Sequence, residues 1–146
     1  MVKVNIFREG ISMPRGGLTE GYIKKTVAKT AKLLGLEDVS VSLILTDNEF
    51  IKKINTRFRK KKSATDVISF PNRENRFPAE KSRMEDLGDI FISLEMAMSR
   101  SDGLRDEMKR LIVHGLLHLL GYDHEKSKKV MEIMRKKENE ILQLIP

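Results

Sequence analysis

Residues 111–124, LIVHGLLHLLGYDH, constrain this chain more than any other stretch, because they hold all three of its histidines, His114, His118 and His124. Around the first two stand Leu111, Ile112, Val113, Leu116, Leu117, Leu119 and Leu120. Apolar positions this dense predict a helix buried on nearly all sides. Residues four apart on a helix share a face, about 6 Å from one another along the axis, so His114 and His118 are neighbours. A lone histidine on such a helix is usually a hydrogen-bonded core residue, and an i, i+4 pair often arises by chance. Two imidazoles inside an apolar helix nevertheless need partners. Gly121 lets the helix stop through left-handed backbone, after which His124 can swing back toward the other two. Three neutral imidazoles spaced H-x3-H-x5-H form a metal site whose fourth position is open to water, the arrangement of catalytic rather than structural zinc. One Zn2+ per chain is expected, although imidazole sites also accept other divalent transition metals.

The spacing is that of the zinc-protease pattern H-E-x-x-H-x-x-G-x-x-H at every position but one. Gly115 stands where the glutamate general base would be. Glycine takes no proton, so the ligand set is present without its proton-transfer group, and ordinary peptide hydrolysis is disfavoured. Asp123 and Glu125 flank the third histidine; either is a candidate base, and Asp123 serves equally well as a hydrogen-bond partner orienting a ligand. The chain has no cysteine, which excludes disulfides and thiolate ligation and leaves histidine and carboxylate as the strong metal ligands.

In chain order, residues 2–7 (VKVNIF) alternate as a strand, and Thr19 caps a helix running to about Leu34 with Gly35 as its stop. Residues 39–45 (VSVSLIL) form a second strand. Asp47 or Asn48 caps a helix through about Thr56 that packs by Phe50, Ile51 and Ile54. Residues 65–70 (TDVISF) form a third strand ended by Pro71, and residues 72–86 read as an exposed polar loop. The fourth strand has residues 90–93 as its core and is entered through Leu87-Gly88-Asp89. A short helix over residues 94–101 is broken by Asp102-Gly103. The histidine helix begins near Leu104, and a last helix spans about residues 125–144, with Val130, Ile133, Met134, Ile141 and Leu144 inward. Strands interleaved with helices at this length predict one α+β domain over residues 1–146, a mixed four-stranded sheet packed with helices. No stretch is long enough to span a membrane, and the first thirty residues lack a signal-peptide core, so a cytoplasmic protein is expected.

The charge balance, 28 Lys and Arg against 21 Asp and Glu for a net +7, favours a polyanionic partner. Its densest cationic run is Arg57, Arg59, Lys60, Lys61 and Lys62, which has no intervening anion and includes Phe58. Charge runs usually keep a loop soluble. Five clustered cations around an aromatic ring also suit single-stranded nucleic acid, the cations meeting phosphates and the ring meeting a base.

Three stretches resemble signatures of the YbeY family, bacterial zinc-dependent endoribonucleases linked to ribosomal RNA maturation. HGLLHLLGYDH is similar to HGxLHLxGYDH. Phe58-Arg59 followed by the basic run and TDVISFP is similar to the family's aromatic-Arg pair and (P)TDVLSFP, with Ala64 for proline and Ile68 for leucine. LGDIFIS, residues 87–93, is similar to LGDIxIS. The resemblance implies a YbeY-like metallohydrolase domain with the zinc helix packed against a mixed sheet. It also implies a metal-dependent single-strand endoribonuclease acting in ribosomal RNA maturation and ribosome quality control. His114, His118 and His124 would be its zinc ligands, and Arg59 would be the functional arginine, its planar fork suited to charge developing on a phosphate. Arg57, Lys60, Lys61 and Lys62 would contact RNA, with the ribosome or ribosome-associated proteins as partners and no membrane. A non-catalytic ribosome-associated RNA-binding protein with a structural metal, and a metal-dependent hydrolase of another substrate, are the alternative classes; oligomeric state has no signature in the chain.

Overall fold

The computed structural model describes residues 1–14, 17–72, 84–100, 103–122 and 127–146. Four strands, β1 (Val2–Glu9), β2 (Val39–Thr46), β3 (Val67–Pro71) and β4 (Glu85–Ser93), form one sheet in the order β1-β2-β4-β3. β1 runs parallel to β2 and β2 parallel to β4, whereas β3 is antiparallel to β4 and lies at the sheet edge. The helices are α1 (Glu20–Leu33), α2 (Asn48–Arg59), α3 (Leu94–Met98), α4 (Leu104–Leu119) and α5 (Lys128–Leu144). The expected mixed four-stranded α+β sheet is present, and no described helix is long and apolar enough to cross a membrane.

Alternation decides which layer each strand residue faces. Val39, Val41, Leu43 and Leu45 of β2 and Ile90 and Ile92 of β4 are buried against Ile23 and Val27 of α1 and Leu111, Ile112 and Leu116 of α4. Each fully buried side chain of this kind contributes about 1.5–3 kcal/mol. Phe91, between Ile90 and Ile92, turns to the other face and stacks on Phe50 of α2, 6.5 Å between ring centres. α2 therefore covers the reverse side of the β4–β3 half. A second cluster joins Val113 and Leu117 of α4 to Met134 and Ile141 of α5 and to Ile145 just beyond it. α4 is thus the middle layer, with the sheet on one side and α5 on the other.

Caps fix several helix ends as the sequence indicates. Thr19 accepts a hydrogen bond from the Tyr22 N–H and Asp47 from the Phe50 N–H. Other boundaries differ from expectation. α2 continues past Thr56 to Arg59, because its last-turn cations, Arg57 and Arg59, suit the negative end of the helix dipole. β3 starts at Val67 and includes Pro71, which an edge strand tolerates because no ladder N–H is required there. β4 reaches back to Glu85, so the predicted polar loop contributes its last two residues to the sheet; residues 73–83 lie outside the described part. α3 ends at Met98, and Asp102 and residues 123–126, where the last helix was expected to begin, are likewise outside it. α5 starts at Lys128 behind a Ser127 cap. Its buried stripe runs through Met134 and Ile141 to Ile145, leaving Ile133 and Leu144 51% and 61% exposed, not inward as the periodicity suggested. Ile133 lies about 100° around the helix from Met134, and Leu144 sits at the fraying last turn.

One irregularity in the sheet depends on glycine. Between the pairs Ser40↔Asp86 and Ser42↔Asp89 the register shifts, so Val41 opposes both Leu87 and Gly88 in a bulge. Gly88 has φ +128°, and a Cβ there would lie 2.2 Å from the Phe70 carbonyl oxygen and 2.9 Å from the Asn72 nitrogen. Both are backbone atoms with little freedom to retreat. Gly88→Ala should therefore cost about 3 kcal/mol or more. Urea unfolding should show a lower midpoint at unchanged slope, and a midpoint equal to wild type would mean that the bulge relaxes freely.

Candidate active site

α4 ends at a glycine turn built as the sequence anticipates. Gly121, at φ +100°, donates to the His118 carbonyl at 3.0 Å, and Tyr122 donates to the Leu117 carbonyl at 3.1 Å. This pattern satisfies the last carbonyls of the helix. Tyr122 packs into the cluster that joins α4 to α5. Beside this helix end is a cleft of about 430 Å³ lined by Leu36, Leu87, Leu119 and Gly121, among others.

One turn earlier, His114 and His118 share a face, their ring centres 4.6 Å apart and their Nε2 atoms 3.1 Å apart. The other ring nitrogen of His114, Nδ1, donates to Oε1 of Glu138 on α5. A carboxylate only accepts, so this contact places the proton of a neutral His114 on Nδ1 and leaves the Nε2 lone pair facing His118. Two nitrogens on one tetrahedral zinc ion, each about 2.05 Å from it, are about 3.3 Å apart. The observed pair is close to that separation, so these two imidazoles are spaced as two ligands of one zinc ion would be. Among the described residues no group of three His, Asp or Glu side chains is arranged to hold a metal. His124, together with the candidate bases Asp123 and Glu125, lies outside them.

Gly115 takes on a different meaning here. It faces the sheet, not the histidines' open side: a Cβ would lie 2.8 Å from Ile90 Cγ2, 3.0 Å from Ile90 Cδ1 and 3.3 Å from Ser69 Oγ. The buried Ser69 hydroxyl donates to the Gly115 carbonyl at 3.2 Å, fastening α4 to β3. The position that carries a general base in the protease pattern is occupied here by the contact between helix and sheet. Gly115→Glu should therefore create no peptidase. Forcing a carboxylate between α4 and Ile90 combines overpacking with burial of an unpaired charge, a loss of about 4 kcal/mol or more. Denaturant unfolding and a peptide-cleavage assay check this; wild-type stability would show that residue 115 has room the packing denies.

Arg59, in the last turn of α2, reaches the edge strand and donates from Nη2 to the Ser69 carbonyl at 3.4 Å. Ser69 thus links the arginine to the helix bearing His114 and His118 by two hydrogen bonds. Lys60 terminates α2 in left-handed backbone, φ 56°. The following residues are folded back onto the helix, Asn55 donating to the Ser63 carbonyl at 2.9 Å and Thr56 to the Lys61 carbonyl at 3.3 Å. Arg57, Lys60, Lys61 and Lys62 are all exposed. Among the described residues none of these four cations, nor Arg59, forms an ion pair. Phe58 is 57% exposed at the end of a row of rings, edge-on to Phe70 at 5.5 Å, which is edge-on to Phe91 at 5.7 Å. The Arg57 guanidinium lies 5.3 Å from the Phe58 ring centre.

Two features of the site escaped the sequence reading. Glu138 lies 24 residues from His114, and its one local sign is a carboxylate set between the buried positions Met134 and Ile141. The second is Asp66, which accepts from Arg110 Nη2 at 3.3 Å and lies 3.7 Å from Arg100, while its carbonyl accepts from the Ser93 N–H. Arg110 is also held by Glu107, whose hydrogen bond does most to push its pKa above the ordinary value, against the cost of burial. In TDVISFP the aspartate is thus an anchor for α4.

The chain is similar to known proteins over nearly its whole length. The family model described as Endoribonuclease YbeY matches residues 17–145. A Persephonella marina protein named Endoribonuclease YbeY is 40% identical over 132 residues, 88% of this chain and 84% of that one. An Aquifex aeolicus protein of the same name is 40% identical over 136 residues, 90% and 87% of the two chains. The solution structure of a Thermotoga maritima protein superposes with a TM-score of 0.59 at 25% identity, covering 98% of this chain and 87% of that one. With the family signature spanning the sheet, the arginine edge and the histidine helix, this chain belongs to the YbeY endoribonuclease family.

Proposed function

We propose that this protein is a metal-dependent endoribonuclease that cuts single-stranded RNA in the cytoplasm during ribosomal RNA maturation and ribosome quality control. Its single domain would be a metallohydrolase domain spanning residues 1–146. The observation that carries the reading is the facing pair of Nε2 atoms on His114 and His118, 3.1 Å apart. His114, His118 and His124 would hold one divalent ion, most suitably zinc given an all-imidazole set. A zinc ion so held supplies Lewis acidity toward a phosphoryl oxygen and lowers the pKa of water to about 7.

The chain's own groups do the rest. Arg59, seated on the Ser69 carbonyl, presents a planar guanidinium to the charge that develops on the scissile phosphate. Lys60, Lys61, Lys62 and Arg57 bind backbone phosphates, and Phe58 offers a face on which one base stacks. This edge favours an unpaired strand, because a stacking ring reads only a base freed from its duplex neighbours. The ribosome or its associated proteins would present such a strand.

Purified wild type should contain about one divalent ion per chain, and His118→Ala should lose it and its cleavage together. Equal metal content by elemental analysis would remove the histidines from the site. Arg59→Lys keeps the charge but loses the fork, so single-turnover cleavage should fall about 100-fold or more while RNA binding changes little. Normal cutting at saturating enzyme would make Arg59 only a phosphate contact. Lys61→Ala should weaken binding to all single-stranded sequences alike and reduce the slope of log K against log salt by about one. An unchanged slope would place the RNA elsewhere.

A further inference from the structure

We propose that Glu138 is a positioning residue for the metal site: its carboxylate, delivered by α5, fixes the tautomer and ring orientation of His114. This inference rests on reading His114 and His118 as metal ligands. Glu138 projects from the stripe by which α5 meets α4, four residues after Met134 and three before Ile141, both buried. Packing alone would be served there by another aliphatic side chain. A carboxylate in such a seam is costly unless a donor meets it, and the donor is the His114 Nδ1–H. The two side chains retain only 20% and 16% of their exposure, so the contact is largely shielded from competing water.

The bond has a directional consequence. With Nδ1–H committed to Glu138, His114 offers Nε2 as a lone pair, and that atom is the one facing Nε2 of His118. The ring cannot flip or exchange tautomers without breaking the bond. Binding therefore starts from an imidazole already in its ligating form. Partners of this type, when removed, typically cost 10–100-fold in metal affinity. The arrangement also makes α5 part of the site, since Glu138 stands behind His114.

A purely structural ion pair between α5 and α4 makes different predictions, and the test separates the two. Metal-stripped wild type, Glu138→Gln, Glu138→Ala and His114→Ala would be titrated with Zn2+ against a chromophoric chelator at neutral pH, and thermal unfolding of the same metal-free proteins recorded. Glu138→Ala should bind Zn2+ about 10–100-fold more weakly than wild type. Glu138→Gln keeps an acceptor without the charge, so its loss should be smaller, about 3–10-fold, with a metal-free melting temperature close to wild type. Should Glu138→Ala fail to fold, the glutamine variant decides. Wild-type zinc affinity in every folded Glu138 variant would overturn the proposal, since the bond would then only tie two helices. His114→Ala reports on the underlying reading: if it binds Zn2+ as wild type does, or if wild type binds none, the histidine site itself is wrong and the role of Glu138 falls with it.

Discussion

The contact on which the rest of the molecule depends is the close approach of α4 to the sheet at Gly115. A helix with any side chain at that position would stand farther from Ile90, and the Ser69 hydroxyl would no longer reach the Gly115 carbonyl. Seated this deeply, α4 commits Leu111, Ile112 and Leu116 to the sheet side and Val113 and Leu117 to α5. The arc left between those two apolar sides is where His114 and His118 emerge. A glycine in a helix interior, here a little over one turn from the end, normally weakens the helix by about 1 kcal/mol relative to alanine. Here that cost is offset by burying a helix on two faces, and the depth it permits sets the height of both imidazoles above the sheet.

How much of this is legible in the sequence follows from how local each signal is. β2 is read correctly because serines alternate with aliphatics, and α1 because Thr19 and Gly35 mark its ends; these are relations among near neighbours. The end of α2 is misplaced because Arg57 and Arg59 resemble the start of a polar loop, whereas the helix dipole makes that last turn a good place for them. β4 is underestimated because Glu85 and Asp86 carry no strand signal and join the sheet only by pairing with Val39 and Ser40. The histidine pair is visible from spacing alone. Glu138 is not, since nothing within a few residues of it records that α5 folds back over His114.

Ser69 shows how one strand residue can serve two layers. Its side chain stands off the sheet and meets α4, while its carbonyl, in the plane of the sheet at the edge strand, accepts from Arg59. The neighbours divide in the same way. Val67 pairs across with Ile92 on the α4 side, and Ile68 and Phe70 turn to the side of Phe91 and α2. Asp66, just before the strand, holds Arg110 of α4. The TDVISFP segment is thus where the histidine helix and the arginine helix are brought into one frame, although they lie on opposite faces of the sheet.

The distribution of charge follows the same division. Arg110 of α4 is matched by Glu107 and by Asp66, which helps hold α4 to the sheet, and Arg100, just after α3, lies beside the same aspartate. The cations around the end of α2 have no such partners among the described residues, although the fold keeps the loop that carries them tied to Asn55 and Thr56. Five cations with no ion pair among the described residues stand on this edge, beside an exposed ring and next to the strand that reaches α4. A polyanion attracted there gains counterion release without first displacing carboxylates from the lysines. On the proposed function, the basic edge and the histidine helix, which share Ser69, would direct a phosphate backbone to the same place.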